Sequence, residues 1–246
     1  MKKVLALIMA TVLAVCVFAA CGATDEAATL KMGTNAAFPP YEYKEGEAFV
    51  GIDVEIADAI AKELGTTLEV VDMEFDSIIP AVQKGEVNFG MAGMTVTDER
   101  KLEVDFTSSY ATGVQVVIVA EGSEIATLDD LEGKKIGTQL GTTGDMYSKD
   151  DYGEENVTSY GKGADAVIAL KGGDVDAVII DNEPAKAFVA ENEGLKILET
   201  EYAVEDYAIA VAKENTELLD KINAALEKLT ADGTIDAIIA KYIKAE

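Results

Sequence analysis

The chain has 246 residues, 49% hydrophobic and 27% charged, enough apolar material for a packed core and a composition that excludes disordered and fibrous classes. Its 46 Asp+Glu against 20 Lys+Arg give a formal charge of −26, the wrong sign for neutralising nucleic-acid phosphates. There is no His, and both Cys lie near the start; histidine acid–base catalysis is therefore excluded, zinc is disfavoured, and neither a metal nor a cofactor is expected.

Met1-Lys2-Lys3 precedes an uncharged apolar run, Val4 to Ala20, that ends in small residues before Cys21-Gly22. A basic head, an apolar centre and small residues at a break predict a secretory signal over 1–20, with a short tether over 21–27. A membrane-spanning anchor is the rival reading, since about 20 apolar residues cross a bilayer. The acidic, alanine-rich stretch that follows Cys21 at once speaks against it.

The body then reads as strands alternating with helices. Strands are predicted over 29–34, 67–73, 87–92, 115–120, 135–138, 157–160, 177–180 and 195–198. Between 53 and 64 the apolar residues Val54, Ala57, Ile60, Ala61 and Leu64 fall at helical spacing, with Gly65 placed to stop the helix. A second helix over 76–84 stops at Gly85, and 216–242 reads as a helix pair broken at Gly233 and packed on a core. This alternation predicts α/β architecture with largely parallel sheets and ligand sites at the carboxyl ends of strands. Residues 79–93 (IPAVQKGEVNFGMAG) and 167–181 (VIALKGGDVDAVIID) echo one another. In both, a helix ends at Lys-Gly, an acid precedes Val, and a strand runs into a polar loop. Two similar lobes whose strand ends face a shared gap would produce that echo, and so would convergent βα chemistry.

Several residues suit chemistry in such a gap. Arg100 is the only arginine, set in MAGMTVTDER (91–100), and its planar fork matches a carboxylate with two parallel hydrogen bonds. The competing reading is a surface ion pair with Asp98 or Glu103. Gln139 to Gly144 (QLGTTG) follows a strand and opens a helix; its free N–H groups suit an anion, though its spacing is no nucleotide-binding fingerprint and an ordinary turn explains it as well. Asp181, closing DAVIID (176–181), suits either a helix cap or an ammonium partner. Phe38, Tyr41, Tyr43 and Phe75 put aromatics on loops after strands, where they either pin the core or flank a ligand. Residues 149–155 (KDDYGEE) lack the pattern of a calcium loop and read as a solvated turn.

TNAAFPPYEY (34–43), VGIDVEIADAIAKELG (50–65), FDSIIPAVQKG (75–85), MAGMTVTDER, VDFTSSY (104–110), QLGTTGD and DAVIID together resemble the extracytoplasmic solute-binding proteins of polar amino-acid ABC importers (family 3), in that family's order from about residue 29 to 242. The segment before Cys21 resembles a lipobox, with Phe18 where Leu or Val is usual; the resemblance implies lipidation of Cys21 and anchoring to the outer face of the cytoplasmic membrane. It also implies a two-lobed fold of the type II periplasmic-binding-protein kind, with lobe one over 28–112 and 206–246, lobe two over 113–205, and crossovers near 114–119 and 204–209. Carried over residue by residue, Arg100 grips a ligand α-carboxylate, helped by Thr95 and the backbone around Thr143. Asp181, the Gly93 carbonyl and the Thr95 hydroxyl hold the α-ammonium. Phe38 and Phe75 flank the ligand side chain, and Asn35, Gln139 and Met94 set selectivity. Asn35 and Gln139 replace charges seen in some relatives, which leans toward a neutral side chain such as glutamine, or cystine, with arginine and lysine kept open.

The implied function is that of a non-catalytic monomer delivering an amino acid to the importer's membrane permease. A dehydratase or lyase on the same fold is the enzyme alternative; it requires a general acid, for which Glu42, Glu183 and Glu205 are the loose candidates. A sensor's ligand-binding module is the third reading.

Overall fold

The computed structural model of the chain describes residues 29–244, so the signal over 1–20, Cys21 and the tether lie outside the described residues. In chain order the elements are β1 (Thr29–Thr34), β2 (Ala37–Phe38), β3 (Glu42–Glu45), β4 (Ala48–Val50), α1 (Ile52–Glu63), β5 (Thr67–Asp72), α2 (Ile78–Gln83), β6 (Phe89–Gly90), α3 (Asp98–Glu103) and β7 (Val104–Phe106). There follow β8 (Ala111–Ala120), β9 (Ile136–Gln139), α4 (Thr143–Tyr152), β10 (Val157–Tyr160), α5 (Gly163–Gly172), β11 (Ala177–Asp181), α6 (Asn182–Glu191) and β12 (Leu195–Ile197). The chain closes with β13 (Ala203–Tyr207), β14 (Ala210–Ala212), α7 (Thr216–Ala231) and α8 (Thr234–Tyr242).

Two sheets organise these elements, one per lobe. The first runs β5-β1-β6-β14-β7 and the second β10-β9-β11-β8-β12, with β13 beside β8. The order is the same in both: second, first and third strands, then an antiparallel strand, then the fourth. In the first sheet β1 pairs in parallel with β5 and β6, while β14 runs antiparallel to β6 and β7. In the second, β9 pairs in parallel with β10 and β11, while β8 runs antiparallel to β11, β12 and β13. The sheets are thus mixed rather than largely parallel. Each lobe closes its sheet with a strand entering from beyond its own βα run, and direction alternates there.

The helices form where the sequence sets an apolar stripe and a stop. Helix α1 buries Val54, Ile56, Ala57, Ile60 and Ala61. It ends in a paired turn, Gly65 N–H to the Lys62 carbonyl and Thr66 N–H to the Ala61 carbonyl, which satisfies its last acceptors. Against it lie Met32 and Phe89 from the sheet, Met91 just beyond β6, and Ile222, Leu226 and Leu229 from α7. Fully burying each such side chain contributes roughly 1.5–3 kcal/mol, so the terminal helix pair is part of the first lobe's core. The second lobe packs Val116, Ile118, Val178 and Ile180 against Ala166, Val167, Leu170 and Phe188 on one face. Val117, Val119, Ile136 and Ile179 fill the other.

Three local readings change. The strand foreseen over 87–92 is only Phe89–Gly90, because Val87 turns into the core ahead of it and the chain leaves the ladder at Met91. Lys149, Asp150 and Asp151 close α4 rather than forming a solvated turn, and Lys149 Nζ reaches back one turn to Asp145 at 2.9 Å. A small antiparallel sheet, β2-β3-β4, was not legible as alternation because its strands are two to four residues long.

Candidate functional site

The carboxyl ends of β6 and β11 and the start of α4 converge on one cleft, with about 440 Å³ of free space including its mouth. Its lining includes Asn35, Phe38, Phe75, Gly93, Thr95, Arg100, Gln139, Thr143 and Asp181. Nine of the ten residues expected at the site are therefore together. The tenth, Met94, does not line the cleft. Its side chain is buried with Ile78, Val82 and Ala210, and its carbonyl accepts from Ala208 N–H. The chain bends after β6 at Ala92 and Gly93, where Gly93 takes a φ of 52°, and that bend sends the Met94 side chain to the core while Gly93 and Thr95 stay on the cleft.

Arg100 enters from α3, whose start is capped by the Thr97 hydroxyl accepting the Arg100 backbone N–H at 3.2 Å. The guanidinium is 6% exposed and donates from Nη1 to the Thr95 carbonyl at 2.7 Å and from Nη2 to the Gly141 carbonyl at 3.0 Å. The second bond crosses from one lobe to the other. Its carbon lies 5.3 Å from the centre of the Phe75 ring, a cation–π contact that holds the fork over the aromatic face. Burial lowers its pKa to about 10, with Glu205 pulling the other way, so it stays charged at neutral pH. The surface ion-pair reading does not hold: Asp98 pairs with Lys101 instead.

Asp181 closes β11 and is 3% exposed. It stands at the N-cap of α6 without bonding that helix. Its Oδ2 accepts from Gln115 Nε2 at 2.7 Å, and its buried Oδ1 has no hydrogen-bond partner. Burial raises its pKa from the usual 3.8 to about 7, the Glu205 and Glu183 charges adding to the rise while the Tyr207 hydroxyl and the Val114 N–H oppose it. A buried carboxylate with one oxygen lacking a hydrogen-bond partner beside a cleft suits a cationic group that favours its ionised form. The approach is tight: a Cβ on Gly113 would sit 2.5 Å from Asp181 Oδ1 and 2.2 Å from Tyr207 Oη.

The remaining residues shape the cleft between these two charges. Gln139 Nε2 donates to Asn35 Oδ1 at 3.0 Å across the lobes, and Asn35 Nδ2 donates to the Met73 carbonyl at 2.7 Å. Two neutral amides thus clasp each other where ligand selectivity was expected. Thr143 opens α4, with Thr142 as its N-cap, so the positive end of the helix faces the cleft. Phe38 stacks on Tyr41 at 5.9 Å and packs against both lobes' cores.

Glu42, Ala92, Gln115, Thr142, Ile179 and Ile180 also line the cleft and were not foreseen as ligand contacts. Of the three loose acid candidates, Glu183 pairs with Lys186 at 3.0 Å. Glu42 is buried beside Asp53, and burial together with the Asp53 charge pushes it well above the usual carboxylate range. Glu205, on β13, accepts from three side chains around the cleft. Gln115 is a polar residue in the largely buried apolar run of β8, and that was its one available signal; Glu205 sits in AVEDY (203–207) between exposed neighbours, where nothing local sets it apart.

Comparisons with known proteins agree with this architecture. Over its full length the chain is 34% identical to the arginine-binding extracellular protein ArtP of Bacillus subtilis, covering 100% of both. An ancestral arginine-binding protein solved with glutamine bound is 44% identical, with a TM-score of 0.84 over 88% of this chain and 98% of that one. The arginine-, lysine-, histidine-binding protein ArtJ of Geobacillus stearothermophilus is 34% identical, with a TM-score of 0.84 over 89% of this chain and 96% of that one. Residues 30–245 match the family of bacterial extracellular solute-binding proteins, family 3, and the chain belongs to that family.

Proposed function

We propose that the cleft binds one polar L-amino acid outside the cytoplasmic membrane and that the protein hands it to the permease of an ABC importer without catalysing a reaction. The observation that carries this reading is the pairing of Arg100 from one lobe with Asp181 from the other on a single buried cleft. A zwitterion has a carboxylate for a forked cation and an ammonium for a buried carboxylate. Because its two ends are held by different lobes, its contacts are complete only when the lobes meet, and that difference in affinity drives closure.

Further parts of the proposal follow the chain. The lobes divide at β8 and β13, with 28–112 and 206–246 in one and 113–205 in the other. Gly93 and Thr95 supply acceptors to the ammonium, the start of α4 at Thr143 supplies donors to the carboxylate, and Phe38 and Phe75 flank the side chain. Lipid on Cys21 tethers the protein, which acts as a monomer. The Asn35–Gln139 amide clasp suits a polar side-chain end, as in glutamine or arginine, ligands that relatives of this chain are named for or solved with. A thermal-shift panel over the twenty amino acids, cystine and ornithine tests the reading. Stabilisation by one or a few polar L-amino acids, and not by their D-forms, is the expected result; a flat panel would overturn it.

A further inference from the structure

Glu205 is 7% exposed and lies on β13, where it pairs with Gly113 of β8. Its Oε2 accepts three hydrogen bonds: from Thr143 Oγ1 at 2.8 Å, from Thr95 Oγ1 at 3.1 Å and from Gln115 Nε2 at 3.1 Å. Thr95 belongs to the loop after β6 in the first lobe and Thr143 to α4 in the second, so one carboxylate oxygen gathers hydroxyls from both sides of the cleft. The same Gln115 amide also donates to Asp181 Oδ2.

A threonine hydroxyl has a single hydrogen and two lone pairs. With its hydrogen committed to Glu205, Thr95 has its lone pairs left to face a donor. With Gln115 committed to Asp181 Oδ2, the unpartnered acceptor on that carboxylate is Oδ1. We infer that Glu205 is a positioning residue for the ammonium seat: by taking the Thr95 and Thr143 hydrogens and one Gln115 N–H, it fixes Thr95 and Asp181 as acceptors. It adds a second buried negative charge beside the seat without touching the ligand. Gln115 is the intermediary between the two carboxylates, and both residues come from the strands that join the lobes. This inference rests on the reading of the cleft as an amino-acid site and adds to it the groups that set its polarity.

The test is calorimetric titration of L-glutamine and L-arginine into the full soluble domain carrying Glu205→Met or Glu205→Gln, with the melting temperature of each protein measured alone. Met keeps the length and removes the acceptor; Gln restores an acceptor oxygen without the charge. The expected result is roughly tenfold weaker binding for Glu205→Met, as for loss of a charge-assisted hydrogen bond, and recovery to within about threefold of wild type for Glu205→Gln. Equal affinity in Glu205→Met and wild type, or equal losses in both variants, would overturn the inference while leaving the amino-acid reading in place. If Glu205→Met does not fold, Glu205→Ala carries the same prediction. Wild-type protein that binds neither these probes nor any other member of the panel overturns the reading of the cleft, and this inference with it.

Discussion

The turns that lead into β6 and β11 are built alike and finish differently. In the first lobe α2 ends with Gly85 N–H on the Val82 carbonyl and Glu86 N–H on the Ala81 carbonyl; in the second, α5 ends with Gly173 N–H on Leu170 and Asp174 N–H on Ala169. Gly85 and Gly173 take positive φ, 71° and 78°, and the next apolar residues, Val87 and Val175, are both buried. Aligned through those glycines, Gly93 falls opposite Asp181, and both line the cleft. The shared turn places a strand end at the gap, and the residue found there decides what it contributes. Gly93 brings backbone, held by its N–H on Asp53 Oδ2 at 2.8 Å, whereas Asp181 brings a charge. Position is inherited from the fold, and chemistry from one residue.

The comparison can be broken most forcefully at the charges. Arg100→Ala removes the cationic end of the cleft, and calorimetry is expected to show affinity falling by about 2–5 kcal/mol, on the scale of truncating a buried charge pair. Loss of affinity below a factor of two would remove Arg100 from the site. At the other end, Asp181→Asn is expected to weaken binding by a smaller factor and to change its pH dependence. The raised pKa of about 7 means that the folded protein holds a proton on Asp181 below that pH, whereas an incoming ammonium favours the ionised form. Binding then expels a proton, and affinity falls as pH drops below about 7, by up to about tenfold per pH unit. The same linkage makes this buried group's contribution to stability greatest below its usual 3.8 and lost as pH rises through about 7. Asp53, raised to about 6 by burial, titrates nearby, so the part of the pH profile that disappears in Asp181→Asn is the part to assign to Asp181.

Substitutions at glycine sharpen the comparison on a smaller scale. Gly113→Ala drives a methyl into Tyr207 and Asp181, and a loss of about 1–3 kcal/mol in stability is expected from overpacking, accompanied by weaker binding. Gly85→Ala and Gly173→Ala meet nothing within 4 Å, so each is expected to cost only the left-handed backbone strain, about 1–2 kcal/mol. The two should be alike in thermal unfolding and leave affinity unchanged. Unequal costs would show that the two turns are not equivalent.

Much of this was legible in sequence where local chemistry decides the outcome. Strands β1 and β10 fall on the predicted bounds, and α1 stops at Gly65 because a left-handed residue was needed there. Arg100 stood out because lysine supplies every other cation in the chain. What was not legible depends on partners far along the chain. Strand β14, only three residues of an apolar run, is defined by its neighbours β6 and β7. Met94 and Thr95 are adjacent letters, and only the path of the loop turns one to the core and the other to the cleft. The Glu205 carboxylate meets Thr95 across 110 residues and Gln115 across 90, a convergence that no local spacing encodes.

The most direct measurement is a crystal structure of the protein with the amino acid that the thermal-shift panel selects. The α-carboxylate should lie within hydrogen-bond distance of the Arg100 guanidinium and the α-ammonium within the same distance of Asp181 Oδ1. A ligand seated in the reverse sense, or held elsewhere in the cleft without contact to either residue, would contradict the account.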